Sequence, residues 1–245
     1  NKTVVYYFYK GAMIVEICVS SYESLMLAHK YGADRVEICQ NLSCGGLTPS
    51  LGLVQYSLDL GFNTQVLIRP RSGDFCYSSF EKEQILDELV LYQKLGIQGA
   101  VVGALDKDRK LDIPFLKQIR ILTPKIELTF HKAFDDVLNW KVALENLITM
   151  KFNRILTAGY AINVDEGMKN LKDIISLSNG RIEILPGGGV REKNIRDIID
   201  TIHPKGIHFS ATKEKSHENS NFYSSKSLQV DDSTLQKMIL LCRKQ

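Results

Sequence analysis

Two short runs of the chain repeat each other: Val15-Glu16-Ile17-Cys18 recurs as Val36-Glu37-Ile38-Cys39. In extended chain alternate residues share a face, so each run presents a carboxylate and a thiol on one side and β-branched residues on the other. If the two runs lie side by side as strands about 4.8 Å apart, Cys18 and Cys39 come close enough to share a soft ion such as Cu(I). The structural alternative is a pair of inert buried thiols. Glutamates inside β-runs also need partners. The available cations are Arg69 and Arg71, in the stretch Leu67 to Ser78, where Pro70 ends an apolar run and the chain turns through Asp74, Phe75, Cys76 and Tyr77.

Two further constellations carry chemistry. Thr129-Phe130-His131-Lys132-Ala133-Phe134-Asp135 places an imidazole four residues before a carboxylate, a spacing that can orient and tune a proton-transfer group. A histidine merely bonded into a rim is the structural alternative. Pro186-Gly187-Gly188-Gly189-Val190 precedes a helix expected to begin at Arg191, and His208-Phe209-Ser210 follows later. Glycines before a helix let backbone N-H groups converge on an anion, so Gly187, Gly188, Gly189 and Ser210 are a candidate phosphate site. Glu16, Glu37, Arg69, Arg71, His131 and Asp135 are the candidates for proton transfer and anion holding on a small anionic or phosphorylated substrate.

These residues must be positioned by something periodic. Short β-prone runs at 14–18, 35–39, 65–69, 100–103, 127–131, 154–157, 182–186 and 206–210 alternate with helical patterns at 21–32, 50–60, 81–95, 113–122, 140–151, 164–178, 191–202 and 230–242. Thr48 or Ser50 is the expected cap of the second helix. Strict βα alternation means a parallel sheet with helices outside, and eight units close a single (β/α)8, or TIM, barrel. An open doubly wound sheet would want a glycine-rich loop after its first strand, and Val19-Ser20-Ser21-Tyr22 has none. In such a barrel ligands bind at the C-terminal strand ends, where all the residues above fall. Adjacent strands send side chains into different layers, so matched sequence positions need not match in height. Residues 1–12 read as a leader, 13–245 as the barrel, and the polar, serine-rich 213–227 as a mobile loop. Cys242 reads as core packing of the closing helix.

Composition narrows the partners. With 31 Lys and Arg against 28 Asp and Glu, a net charge of +3 gives no basis for a nucleic-acid or membrane partner. No window reaches the roughly 18 apolar residues of a membrane span, and no secretory signal is visible. Five widely spread cysteines, an odd number, suit free thiols or a soft metal in a reducing cytosol.

Taken together, Val-Glu-Ile-Cys at 15–18, Gly-Ala-Asp-Arg-Val-Glu-Ile-Cys at 32–39, Gly-Gly-Leu-Thr-Pro-Ser at 45–50, Ile-Arg-Pro-Arg-Ser-Gly-Asp-Phe-Cys-Tyr-Ser at 68–78, Thr-Phe-His-Lys-Ala-Phe-Asp at 129–135 and Gly-Gly-Gly-Val at 187–190 resemble the CutC family of copper homeostasis proteins. The resemblance implies a TIM barrel, a cytosolic location, often a homodimer, and Cu(I) held by Cys18 and Cys39. Two departures stand out: the family pattern has Gly where Ser72 stands, and usually Arg where Lys132 stands. Ser72 would tighten the loop if that position needs positive φ, and Lys132 keeps charge while losing a forked donor.

Overall fold

Helix caps punctuate the chain and set where each βα unit turns. Ser21, Ser50, Ser78, Asp112, Asn139 and Asn163 each accept a backbone N-H of the helix they open. Thr48 is not the second helix's cap. Its hydroxyl donates to Glu88 at 2.8 Å and accepts the Arg69 N-H at 2.9 Å, tying two loops together. The computed structural model describes residues 13–217 and 225–243; the expected leader at 1–12 and residues 218–224 of the expected loop lie outside the described residues.

The elements follow the βα rhythm. They are β1 (Ile14–Val19), α1 (Tyr22–Lys30), β2 (Arg35–Ile38), α2 (Leu51–Asp59), β3 (Asn63–Leu67), α3 (Ser79–Leu95), β4 (Gly99–Val102), α4 (Ile113–Leu122), β5 (Glu127–Phe130), α5 (Trp140–Thr149), β6 (Arg154–Thr157), α6 (Val164–Ser178), β7 (Glu183–Pro186), α7 (Ile195–Ile202) and β8 (Gly206–Phe209). Then come β9 (Thr212–His217), β10 (Ser225–Val230) and α8 (Asp232–Arg243). The parallel ladder runs β7-β6-β5-β4-β3-β2-β1-β8, and β8 lies beside β7 to complete the barrel. Along that seam the strands pack closely: a Cβ on Gly206 would stand 2.9 Å from Glu183 Oε1 and 3.1 Å from Leu185 Cδ1.

The outward faces of the strands, among them Val15, Ile17, Val36, Ile38 and Val66, are buried with the inner faces of the helices in one continuous apolar layer. Cys242 belongs to it, as packing on α8. A second, small cluster of Cys18, Cys39, Leu67 and Val101 is separate from that layer. Among the described residues no helix is long and apolar enough to cross a membrane.

Two expectations are corrected. The run at 213–227 is not a structureless loop in its described part: Thr212–His217 and Ser225–Val230 form an antiparallel ribbon. Its sequence lacks apolar alternation because both faces are polar. The ladder is supported instead by ion pairs of Lys226 with Glu214 at 3.0 Å and Lys213 with Asp231 at 2.9 Å. The helix expected from Arg191 begins at Ile195. The Asn194 side chain accepts the Arg191 N-H at 2.7 Å and donates to Gly189 O at 2.9 Å, holding 189–194 as a turn that competes with helix.

Candidate functional site

The strand register explains how the repeated runs meet. On β1 and β2, Glu16 faces Arg35 and Cys18 faces Glu37, so the second run is displaced by two residues along the first. Layering inside the barrel follows from that shear. The lower layer is ionic. Glu16 receives Arg35 Nε and lies 2.7 Å from His208 Nδ1, while Arg35 also reaches Glu183 across the barrel at 3.3 Å. Burial alone would raise the Glu16 carboxyl, but Arg35 and His208 outweigh it and hold it at about 2. The expected pairing of the buried glutamates with Arg69 and Arg71 is therefore not made. Arg35, two residues before Glu37 and so on its inward face, is the cation that β2 itself supplies.

The thiols stand one layer higher. Cys18 Sγ is 3.5 Å from Cys39 Sγ and 3.7 Å from Glu37 Oε1. Cys18 is pushed well above an ordinary thiol by its bond to Cys39 and by burial, so it is protonated and no ready nucleophile at neutral pH. Burial likewise lifts the Glu37 carboxyl to about 7, and its Oε2 has no hydrogen-bond partner. His208 is opposed by burial but raised overall by Glu37, Cys18 and Glu16, which favours its charged form. Ligand atoms of Cys18, Glu37 and His208 all lie within 4.8 Å of one another. Cys39 stands outside that set, but its sulfur beside Cys18 fits a soft monovalent metal: two metal-sulfur bonds of about 2.3 Å span up to about 4.6 Å, more than the 3.5 Å between the two sulfurs.

Above the thiols a cavity of about 360 Å³ opens at the C-terminal strand ends. Cys18 and Glu37 belong to its lining, with Arg69, Phe75, His131, Lys132, Gly188, Gly189, His208 and Ser210. Arg69 is buried, and its fork is fixed by Cys44 O, Gly46 O and Gly73 O at 2.9, 3.0 and 2.8 Å. Phe75 stands between Arg69 and His131: the guanidinium lies 5.1 Å from its ring centre and the imidazole 4.8 Å. His131 Nδ1 accepts the Ala133 N-H at 3.1 Å, which leaves the ring proton on Nε2. Burial, then the charge of Arg69, lowers its pKa to about 3, so it stays neutral.

Three expected site residues fall elsewhere. Asp135 does not tune His131; its carboxylate receives the Thr157 hydroxyl and the Ala158 and Tyr160 N-H groups, holding the loop after β6. Arg71 is drawn away from the cavity by Glu81 and Asp74, at 2.5 and 2.9 Å. Gly187 is a close-approach position, with His208 Cβ 3.2 Å from where a Cβ would stand. Ser72 has no positive φ, so serine costs that loop nothing; Gly73 carries the positive φ instead. Arg35, His208, Phe75 and Lys132 are the site residues that sequence motifs did not single out for these roles. The charged Arg35 two residues from Glu37, and His208 two residues from Ser210, were the available signals.

The comparisons with known proteins agree with this architecture. The CutC family model matches residues 13–213. The copper homeostasis protein cutC homolog of Homo sapiens is 38% identical over 202 residues, covering 82% of this chain and 74% of its own. A family protein CutC of Glaesserella parasuis is 37% identical over 204 residues, 83% of this chain and 84% of its own. The solved CutC structure from Streptococcus agalactiae aligns with a TM-score of 0.76 at 30% identity, covering 80% of this chain and 97% of that one. A phosphoribosylanthranilate isomerase of Thermotoga maritima, at 14% identity and a TM-score of 0.59 over 94% of this chain and 98% of its own, shares the barrel fold alone. Profile, sequence and structure thus converge on one conclusion: the chain belongs to the CutC family.

Proposed function

We propose that this protein serves copper homeostasis by binding one Cu(I) between Cys18 and Cys39 inside the barrel. The observation that carries the reading is the 3.5 Å separation of two buried thiols from neighbouring strands, one of which opens on a cavity. Thiolates are soft donors suited to Cu(I), and both lose their protons to the solvent when the metal enters. The unpartnered Glu37 Oε2 offers a third donor or a proton acceptor at that point. A reducing cytosol would keep both thiols free and supply copper in its monovalent state.

Anaerobic competition with a chromogenic Cu(I) chelator measures this directly. The wild type is expected to withdraw one equivalent, and the Cys18→Ser, Cys39→Ser double variant none. Cys44 and Cys76 lie toward the surface, so Cys44→Ser, Cys76→Ser is the control that retains binding. Full binding by the Cys18, Cys39 variant would overturn the reading.

A further inference from the structure

Three arginines are buried among the described residues, and only two of them have a carboxylate. Arg35 pairs with Glu16 and Glu183, and Arg154 with Glu127 and Glu183, all toward the N-terminal end of the barrel. Arg69 is 6% exposed and forms no ion pair among the described residues; its three fixed acceptors are neutral carbonyls. A buried cation without a counter-charge is costly, and a permanently charged guanidinium cannot relieve that cost by losing its proton. Beyond Phe75, the buried His131 Nε2, which carries the ring proton, also lacks any partner. Both residues line the same cavity.

The opposite wall is built differently. Lys132 holds its ammonium over the loop after β7, 2.8 Å from where a Cβ on Gly188 would stand. Its protein partners are distant, Ile162 O at 3.4 Å and Asp135 Oδ2 at 4.0 Å. Gly188 and Gly189 both take positive φ, at 94° and 82°, and their N-H groups donate no hydrogen bond among the described residues. Free backbone donors beside a lysine, after the seventh strand of a barrel, form a site for a dianionic group.

We propose that the cavity binds a small organic phosphate, with the phosphoryl group against Lys132 and the Gly188–Gly189 backbone and a carbonyl or carboxylate oxygen toward Arg69 and His131. A phosphate answers Lys132 and the free N-H groups, and a second oxygen function answers Arg69 and the unpartnered imidazole donor. The volume of about 360 Å³ suits a short phosphorylated metabolite. The two walls use neither sulfur, so the site stands or falls independently of copper binding.

Isothermal titration of the metal-free protein with inorganic phosphate and with 3-phosphoglycerate, at constant ionic strength, tests the proposal. Both probes are expected to bind saturably, the phosphoglycerate more tightly because it spans both walls. Lys132→Met should weaken both by about tenfold or more. Lys132 is partly exposed, so this variant is expected to fold. Arg69→Lys, which keeps charge and loses the fork, should weaken only the phosphoglycerate. Absence of saturable binding to the wild type, or unchanged affinity in Lys132→Met, would overturn the proposal whatever the copper result.

Discussion

At the scale of single residues, the buried ionisable groups pull stability in opposite directions with pH. His131 is held near 3 in the folded chain against about 6.5 unfolded, so the unfolded state binds the extra proton between those values. Its contribution is present above about 6.5 and is lost as the solution is acidified toward 3. Glu37 has the opposite sign: raised to about 7 from 4.5, it favours the fold at low pH and that contribution is lost as pH rises through 7. The two partly cancel in the wild type, so the difference between wild type and His131→Gln isolates the histidine. Between pH 7 and pH 5 the wild type should lose about 2 kcal/mol more than the variant in urea unfolding, 1.5 pH units below the unfolded pKa being the span that counts. Equal losses would show that His131 is not held neutral by burial.

At the scale of elements, α6 is fixed by a helix-loop contact that two local rules read differently. A Cβ on Gly167 would collide with Ala158 O and stand 2.9 Å from Gly159 Cα. Helix propensity alone predicts that Gly167→Ala stabilises by about 1 kcal/mol. Overpacking against a backbone carbonyl predicts a loss of about 1 to 3 kcal/mol, and the loop cannot retreat because Asp135 binds the Ala158 and Tyr160 N-H groups at 2.9 Å each. A net drop in the urea midpoint is therefore expected, and a gain would show that the loop yields. The same distinction between local and tertiary information separates what the sequence discloses from what it hides. The eight strands were legible because β-branched runs alternate with capped amphipathic segments. The inward face of Cys18 and Cys39 was legible from period two. The two-residue displacement between β1 and β2 was not, since shear is a property of the closed ladder; it sets Glu16 against Arg35 and leaves Arg69 unpaired. Nor was the partner of Asp135, because a carboxylate four residues from a histidine says nothing about the loop arriving from β6. The β9–β10 ribbon escaped for want of an apolar face.

At the scale of the whole molecule, the barrel is divided into an ionic end that holds it together and a cavity end free to bind. Arg35 is central to the first. It joins β2 to Glu16 on β1 and to Glu183 on β7, so one side chain links strands on both sides of the β7–β8 seam. Arg154, from β6, meets Glu183 and Glu127, extending the same network. A buried ion pair contributes little net stability against an apolar substitute, yet removal of one partner strands the other charge at a cost of about 3 to 5 kcal/mol. Arg35→Met should lose stability on that scale, moderated because His208 still faces Glu16 at 2.7 Å. Glu16→Gln in the same chain removes the stranded carboxylate, so the double variant should be more stable than Arg35→Met alone. That ordering, measured by urea unfolding at neutral pH, distinguishes an electrostatic partnership from simple packing of the arginine stem, for which the second substitution could only add to the loss. Because neither Arg35 nor Glu16 lines the cavity, Cu(I) stoichiometry in the folded fraction of both variants should remain that of the wild type.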